Sequence, residues 1–305
     1  MAITGNGTQQ NPWVVHDYAE LKTACESSDP AVHYVELAND INCNDYGVSF
    51  VWNTITIGNR YYADWTTHLD LKGHTIQNIQ VAADGYMFFS ENDAIGSTIK
   101  NGEILNVFLG GAAGFVKNVD FSKLSISMNA TNAKGIFHGT QIVGTPTISN
   151  SAIYCESIKL ASQNGFIEAY AVSNSDFTID LADINSNLIF GGLTTFSGCR
   201  FKECKVGGEC PNVEIYPYGD MRIFAYGSQF TNCVVDFDFT EITLAPTDDR
   251  VFYGFDTATQ STVINKSKWI NGGTAPVSWQ FCTDEEITSA EYLNEHGFVV
   301  VPRSV

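Results

Sequence analysis

A right-handed parallel β-helix, an all-β stack of irregular coils with a short helix closing each end, is the fold this 305-residue sequence predicts. Three observations carry the expectation: a two-part near-repeat, asparagine or glycine at one fixed place within it, and short alternating segments between the copies.

The first half of the repeat is a glycine or polar residue followed by bulky apolar residues. It reads Met87-Phe88-Phe89, Gly114-Phe115, Gly135-Ile136-Phe137, Gly165-Phe166-Ile167, Leu188-Ile189-Phe190, Arg222-Ile223-Phe224 and Val251-Phe252. These copies recur every ~22 to 34 residues, a period typical of solenoids.

The second half is an apolar residue, any residue, then Asn or Gly, two more residues and another apolar one. It runs Ile99 to Ile104, Val116 to Phe121, Ile148 to Ile153, Val172 to Phe177, Phe196 to Phe201 and Phe230 to Val235, with a looser copy at Val263 to Trp269. Asn and Gly best tolerate a left-handed backbone, so their alternation at one place marks a tight corner between strands. Asn101, Asn118, Asn150, Asn174 and Asn232 are therefore expected to be structural corners, stacked so that side chains bond from coil to coil.

Between the corners, Leu124 to Met128, Phe177 to Leu181 and Val235 to Phe239 alternate apolar and polar residues, the period of a strand with one buried face. Weaker copies at Val35 to Ile41 and His68 to Ile76 extend the pattern toward the amino terminus. The expected organisation is a single domain, 1–305, with an amino-terminal cap at 1–32, about eight or nine coils over 33–270, and a carboxy-terminal cap segment at 271–305.

The ends need covering because an open coil exposes both its core and its strand edges. Tyr18, Leu21, Ala24 and Cys25 lie at helical spacing within 17–27. Thr283-Asp284-Glu285-Glu286 is a capping box ahead of Ile287, Tyr292 and Leu293, with His296-Gly297 as a stop.

Composition narrows the function. Hydrophobic residues make up 44% and aromatics 12%, enough for a substantial core. The 34 acidic and 16 basic side chains leave a net charge of −18, which argues against nucleic acid as a partner. No apolar run reaches the ~18 residues of a membrane span, and the opening residues lack the basic and apolar stretches of a secretory signal. The eight cysteines, at 25, 43, 155, 199, 204, 210, 233 and 282, show no zinc-like pairing and are expected as packed thiols, with Cys199 and Cys233 stacked on one another. No metal and no cofactor are expected.

Cleavage of a polysaccharide needs two carboxylates about 5 to 10 Å apart. Asp176, Asp180, Asp236 and Asp238, with Asp183 nearby, can share an outer face, and Asp248-Asp249 form another pair. Alternating strands place such residues in solvent in any case, so they are catalytic candidates only if the protein is an enzyme. Tyr61, Tyr62, Trp65, Tyr216, Tyr218 and Trp279 fall in connecting segments, where aromatics suit sugar stacking or a protein interface.

The coil period, the Asn/Gly corners and the phrase Leu69-Asp70-Leu71-Lys72-Gly73-His74-Thr75-Ile76 resemble the pectate-lyase-like right-handed β-helix superfamily over nearly the whole chain. The opening 7–15 with Tyr18-Ala19-Glu20-Leu21, and the ending 283–298, look like those of phage- and prophage-borne β-helix proteins. That resemblance implies a bacteriophage virion structural or attachment protein, a capsid decoration, head fibre or tail-associated rod. It implies a homotrimer made in the host cytoplasm, bound to other virion proteins or to a host-surface glycan. A tailspike depolymerase and a bacterial surface adhesin are the alternatives.

Overall fold

The computed structural model describes residues 2–59, 65–91, 96–139, 145–160, 165–184, 190–191, 194–209, 229–231, 233–243, 262–265 and 279–295. The chain is all-β in character, and its strands join one large sheet in which nearly every pairing is parallel. One exception runs antiparallel, Gly58 opposite Thr66 and Asn59 opposite Trp65.

Successive strands visit three ladders in turn. In the first, Val35, Leu69, Ile99, Phe121, Ile148, Val172, Phe196 and Phe230 stand in register. In the second, Ile41, Ile76, Ile104, Ile126, Ile153, Phe177, Phe201 and Val235 do the same. The third aligns Ile55, Phe88, Val116, Phe137, Ile167 and Phe190.

All three columns are buried and belong to one core cluster. Each buried side chain of this size contributes roughly 1.5–3 kcal/mol, and stacking like on like lets aromatic rings meet, as Phe177 on Phe201 at 4.9 Å and Phe196 on Phe230 at 4.7 Å.

Four of the five expected corner asparagines have left-handed backbones: Asn101 (φ 60°), Asn118 (54°), Asn150 (50°) and Asn174 (47°). Asn232 lies outside the described residues. The register corrects one alignment. Asn101, Lys123, Asn150, Asn174 and Gly198 stack between the first and second ladders, because Lys100 pairs with Ser122, Ser122 with Ser149, Ser149 with Ser173 and Ser173 with Ser197. Asn118 instead follows Lys117 of the third ladder and turns the chain into the first. The segment Val116 to Phe121 therefore matches the repeat in composition but not in position.

A small polar residue follows the first of these corners. Ser151 and Ser175 donate to the carbonyl two residues back at 2.9 Å, and Cys199 and Cys233 repeat the contact through sulfur at 3.5 and 3.3 Å. The serine Oγ also accepts from the tier below, Leu124 N to Ser151 at 3.3 Å and Ser151 N to Ser175 at 3.2 Å. Local hydrogen bonding thus satisfies a buried polar column.

At the amino end, helix Tyr18–Cys25 is capped by Asp17, which accepts from Glu20 N, and it buries Tyr18, Leu21, Ala24 and Cys25. Tyr18 meets Trp52 edge-on at 4.7 Å. The first ladder begins within the segment expected as a cap, since Trp13–Val15 pairs with 35–37. At the other end the Thr283 capping box forms, but Ser289 splits the expected helix into Asp284–Thr288 and Ala290–Glu295. Strand Trp279–Cys282 pairs with Thr262–Asn265, so the ladder reaches into that cap segment as well. His296 and Gly297 lie outside the described residues.

Candidate functional site

The second ladder carries the four carboxylates singled out for hydrolysis, and the register sets bases among them. Asp176 pairs with Arg200, whose Nε donates at 2.7 Å while the second guanidinium nitrogen reaches the other carboxylate oxygen. Arg200 is buried, and a bidentate pair of this kind fixes both side chains. Asp180 and Asp238 flank Lys205 in the tiers on either side of it. Asp236 is buried and accepts from Glu203 N at 3.3 Å, capping a bulge where Glu203 is left-handed (φ 51°). The arrangement is a sequence of tier-to-tier contacts. Asp183 sits opposite Lys159 in the same ladder. Asp248 and Asp249 lie outside the described residues.

Of the aromatic candidates, Tyr61, Tyr62, Tyr216 and Tyr218 lie outside the described residues. Trp65 begins the strand Trp65–Asp70 with its indole nitrogen buried, so the ring packs onto the flank instead of standing free. Trp279 opens the strand Trp279–Cys282.

A different cluster emerges on the third ladder. Phe89, Lys117, His138 and Glu168 are register partners one position beyond the buried column, and all are half-buried. Lys117 Nζ lies 5.5 Å from the centre of the Phe89 ring. His138 Nδ1 and Glu168 Oε2 are 2.9 Å apart, and Gly165 N donates to the other oxygen of Glu168 at 2.6 Å.

Tyr86 and Lys134 complete the group. The Tyr86 ring packs against Gly114 of the next tier, where any Cβ would come within 2.4 Å of the ring. Lys134 Nζ sits 4.3 Å from the Tyr86 centroid and also bonds the Asp84 carbonyl. Burial holds the Lys134 ammonium below its ordinary range, partly offset by Asp84, and the charge of Lys117 adds to the depression. Burial likewise raises the Tyr86 phenol, helped by the charge of Glu168. Two ammonium groups thus lie over neighbouring rings, and the His138–Glu168 pair continues the same outward column.

This cluster has a sequence signal that corner chemistry alone does not supply. Each member of the outward column is the residue that follows an apolar pair: Phe89 after Met87-Phe88, Lys117 after Phe115-Val116, His138 after Ile136-Phe137, and Glu168 after Phe166-Ile167.

No family model, curated protein or solved structure matches this chain. Its functional reading therefore rests on its own residues. Among the described residues, no helix is long and apolar enough to cross a membrane.

Proposed function

We propose that the chain is a right-handed parallel β-helix serving as a bacteriophage virion structural or attachment protein, binding a partner without transforming it. Three columns in register through successive tiers support the coil, since a chain that returns to the same three ladders buries each tier only against its neighbours. The observation that carries the binding role is the engagement of the carboxylates. Asp176 is held by Arg200 and Asp236 by a backbone N–H, both across tiers, so these groups brace the stack.

In this reading the protein is a homotrimer on capsid or tail, and three rigid copies multiply weak contacts to a host glycan or to neighbouring virion proteins. Light scattering on the purified chain, coupled to an assay of reducing-end release from host capsular polysaccharide, tests it. A trimer that releases nothing is the expected result. Release abolished by Asp176→Asn, Asp180→Asn, Asp236→Asn or Asp238→Asn would establish a depolymerase instead.

A further inference from the structure

We infer that Cys199 and Cys233 form a redox-dependent lock between two tiers, open as two thiols when the chain folds in a reducing medium and closed as a disulfide when it folds in an oxidising one. The lock belongs to the coil and is independent of what the chain binds.

Register brings the two sulfurs together. Ser197 pairs with Thr231 and Arg200 with Val234, which sets Cys199 beside Cys233 in neighbouring tiers. The backbone is pinned on both sides of the pair, by Gly198 N to Thr231 O at 2.9 Å and by Val234 N to Cys199 O at 3.0 Å. Each thiol turns the same way, donating to the carbonyl two residues back, Ser197 O at 3.5 Å and Thr231 O at 3.3 Å, and a thiol–thiol hydrogen bond joins them. Parallel strands lie about 4.8 Å apart, inside the range of roughly 4.4–6.8 Å that a disulfide sets between its Cα atoms.

Packing alone does not call for cysteine here. Ser151 and Ser175 make the same local contact in the tiers before, so the place asks only for a small polar group, and two cysteines in succession add a chemistry that serine lacks. By contrast, Cys155 faces Ile179, Cys204 faces Phe237 and Cys282 faces Asn265 across their ladders.

Burial decides when the bond forms. Both sulfurs are fully buried, and a buried thiol is seldom ionised, so neither attacks an external disulfide in the folded chain. During folding they are still open to solvent. The thiolate of Cys233 then attacks glutathione disulfide, expelling one glutathione thiolate and leaving a mixed disulfide. The thiolate of Cys199 attacks the Cys233 sulfur, forms the S–S bond and expels the second glutathione. The two protons lost by the cysteines pass to the two glutathione thiolates, so two protein thiols are oxidised as one glutathione disulfide is reduced. Closed, the bond makes a ring of residues 199–233 and is as sheltered from reductant as the thiols were from oxidant.

The chain with Cys210→Ser, produced in a bacterial strain with an oxidising cytoplasm and in an ordinary strain, tests this. Ellman's titration in urea is expected to find fewer thiols in the chain from the oxidising strain, short by the two of the pair, and peptide mapping without reductant is expected to join Cys199 to Cys233. The closed form should unfold at a higher urea concentration than the open one, and dithiothreitol should open it at least about tenfold faster in urea than in buffer. Cys199→Ser and Cys233→Ser, which place there the residue of the earlier tiers, should each fold and abolish the difference between the strains.

A full thiol count in the folded chain from the oxidising strain, or a bond from Cys199 or Cys233 to any other cysteine, would overturn the lock. Equal urea midpoints for the open and closed forms would overturn it as well.

Discussion

Asn78 and Asn106 stand one above the other between register-paired neighbours, and the amide of Asn106 donates to the side-chain oxygen of Asn78 at 3.2 Å. Asn78 in turn donates to Asn42 at 2.9 Å, so an asparagine ladder joins three tiers. Both Asn78 (φ 58°) and Asn106 (54°) are left-handed, and Ser127 continues the column by accepting from Asn106 N at 3.0 Å.

Replacing Asn78 separates the two roles of this residue. Asn78→Ala loses two side-chain hydrogen bonds and places a Cβ in a left-handed backbone, which should cost about 2–3 kcal/mol. Asn78→Gly restores the backbone but not the ladder, and should cost roughly 1 kcal/mol. Urea denaturation of the two variants checks the order; equal losses would mean that the left-handed backbone costs alanine nothing beyond glycine, and no loss in Asn78→Gly would mean that the ladder bonds contribute nothing.

The polar column behind the corners makes a second prediction. Ser175→Ala removes the group that accepts from Ser151 N and leaves a buried donor unpaired, at a cost of about 1–3 kcal/mol. Ser175→Cys should be better tolerated, because Cys199 and Cys233 already occupy the same position in later tiers. The same denaturation assay shows whether cysteine rescues the site.

Stability should fall in mild acid. His33 is fully buried, with Nδ1 3.0 Å from Pro30 O and Nε2 2.8 Å from Thr67 Oγ1, and burial lowers its folded pKa below the ordinary 6.5. Burial lowers that of His68 as well, with Lys100 assisting. For a group whose folded pKa is depressed, the unfolded chain takes up the proton first. The contribution is thus intact above pH 6.5 and is lost as pH falls below it. Burial of Asp120 acts in the opposite sense, raising its carboxyl above 3.8, but only in a more acidic window. Melting temperatures between pH 8 and 5 should fall, and His33→Gln should flatten the slope.

The thiols should be silent in the native protein. Burial raises Cys25, Cys155, Cys204 and Cys233 far above the ordinary thiol range and pushes Cys43 and Cys282 up to about 12. The neighbouring Cys199 adds to the rise at Cys233, as their stacking requires. All seven cysteines among the described residues are buried thiols. Ellman's reagent at pH 8 should therefore react with them only after unfolding; rapid native labelling at Cys199 or Cys233 would contradict the packing.

Much of this fold was legible because it is written in local chemistry. Apolar pairs mark the third ladder, asparagines mark corners, and Asp17 and the Thr283 box mark the helices at the ends. The register was not legible, because Asn118 and Lys123 are both left-handed corners within a few residues of each other, and only strand pairing decides which one continues the column of Asn101. Lys72, Ser157 and Ala169 turn left-handed without the residue type that advertises it. The third-ladder cluster was hidden for a related reason. Lys117, His138 and Glu168 each follow an apolar pair, but they come from three separate tiers, and only the strand pairing sets them side by side.

Among the described residues, the first ladder keeps one register from Val35 to Phe230. Electron–electron distance measurement between spin labels on Glu36→Cys and Ser197→Cys, in a Cys210→Ser background, tests it most directly. These positions share one outward column through Asp70, Lys100, Ser122, Ser149 and Ser173. Six parallel steps of about 4.8 Å place the labelled backbone sites roughly 29 Å apart. A single narrow distribution near that value is the predicted result. A broad distribution, or a narrow one centred far from it, would contradict the stacked-tier account.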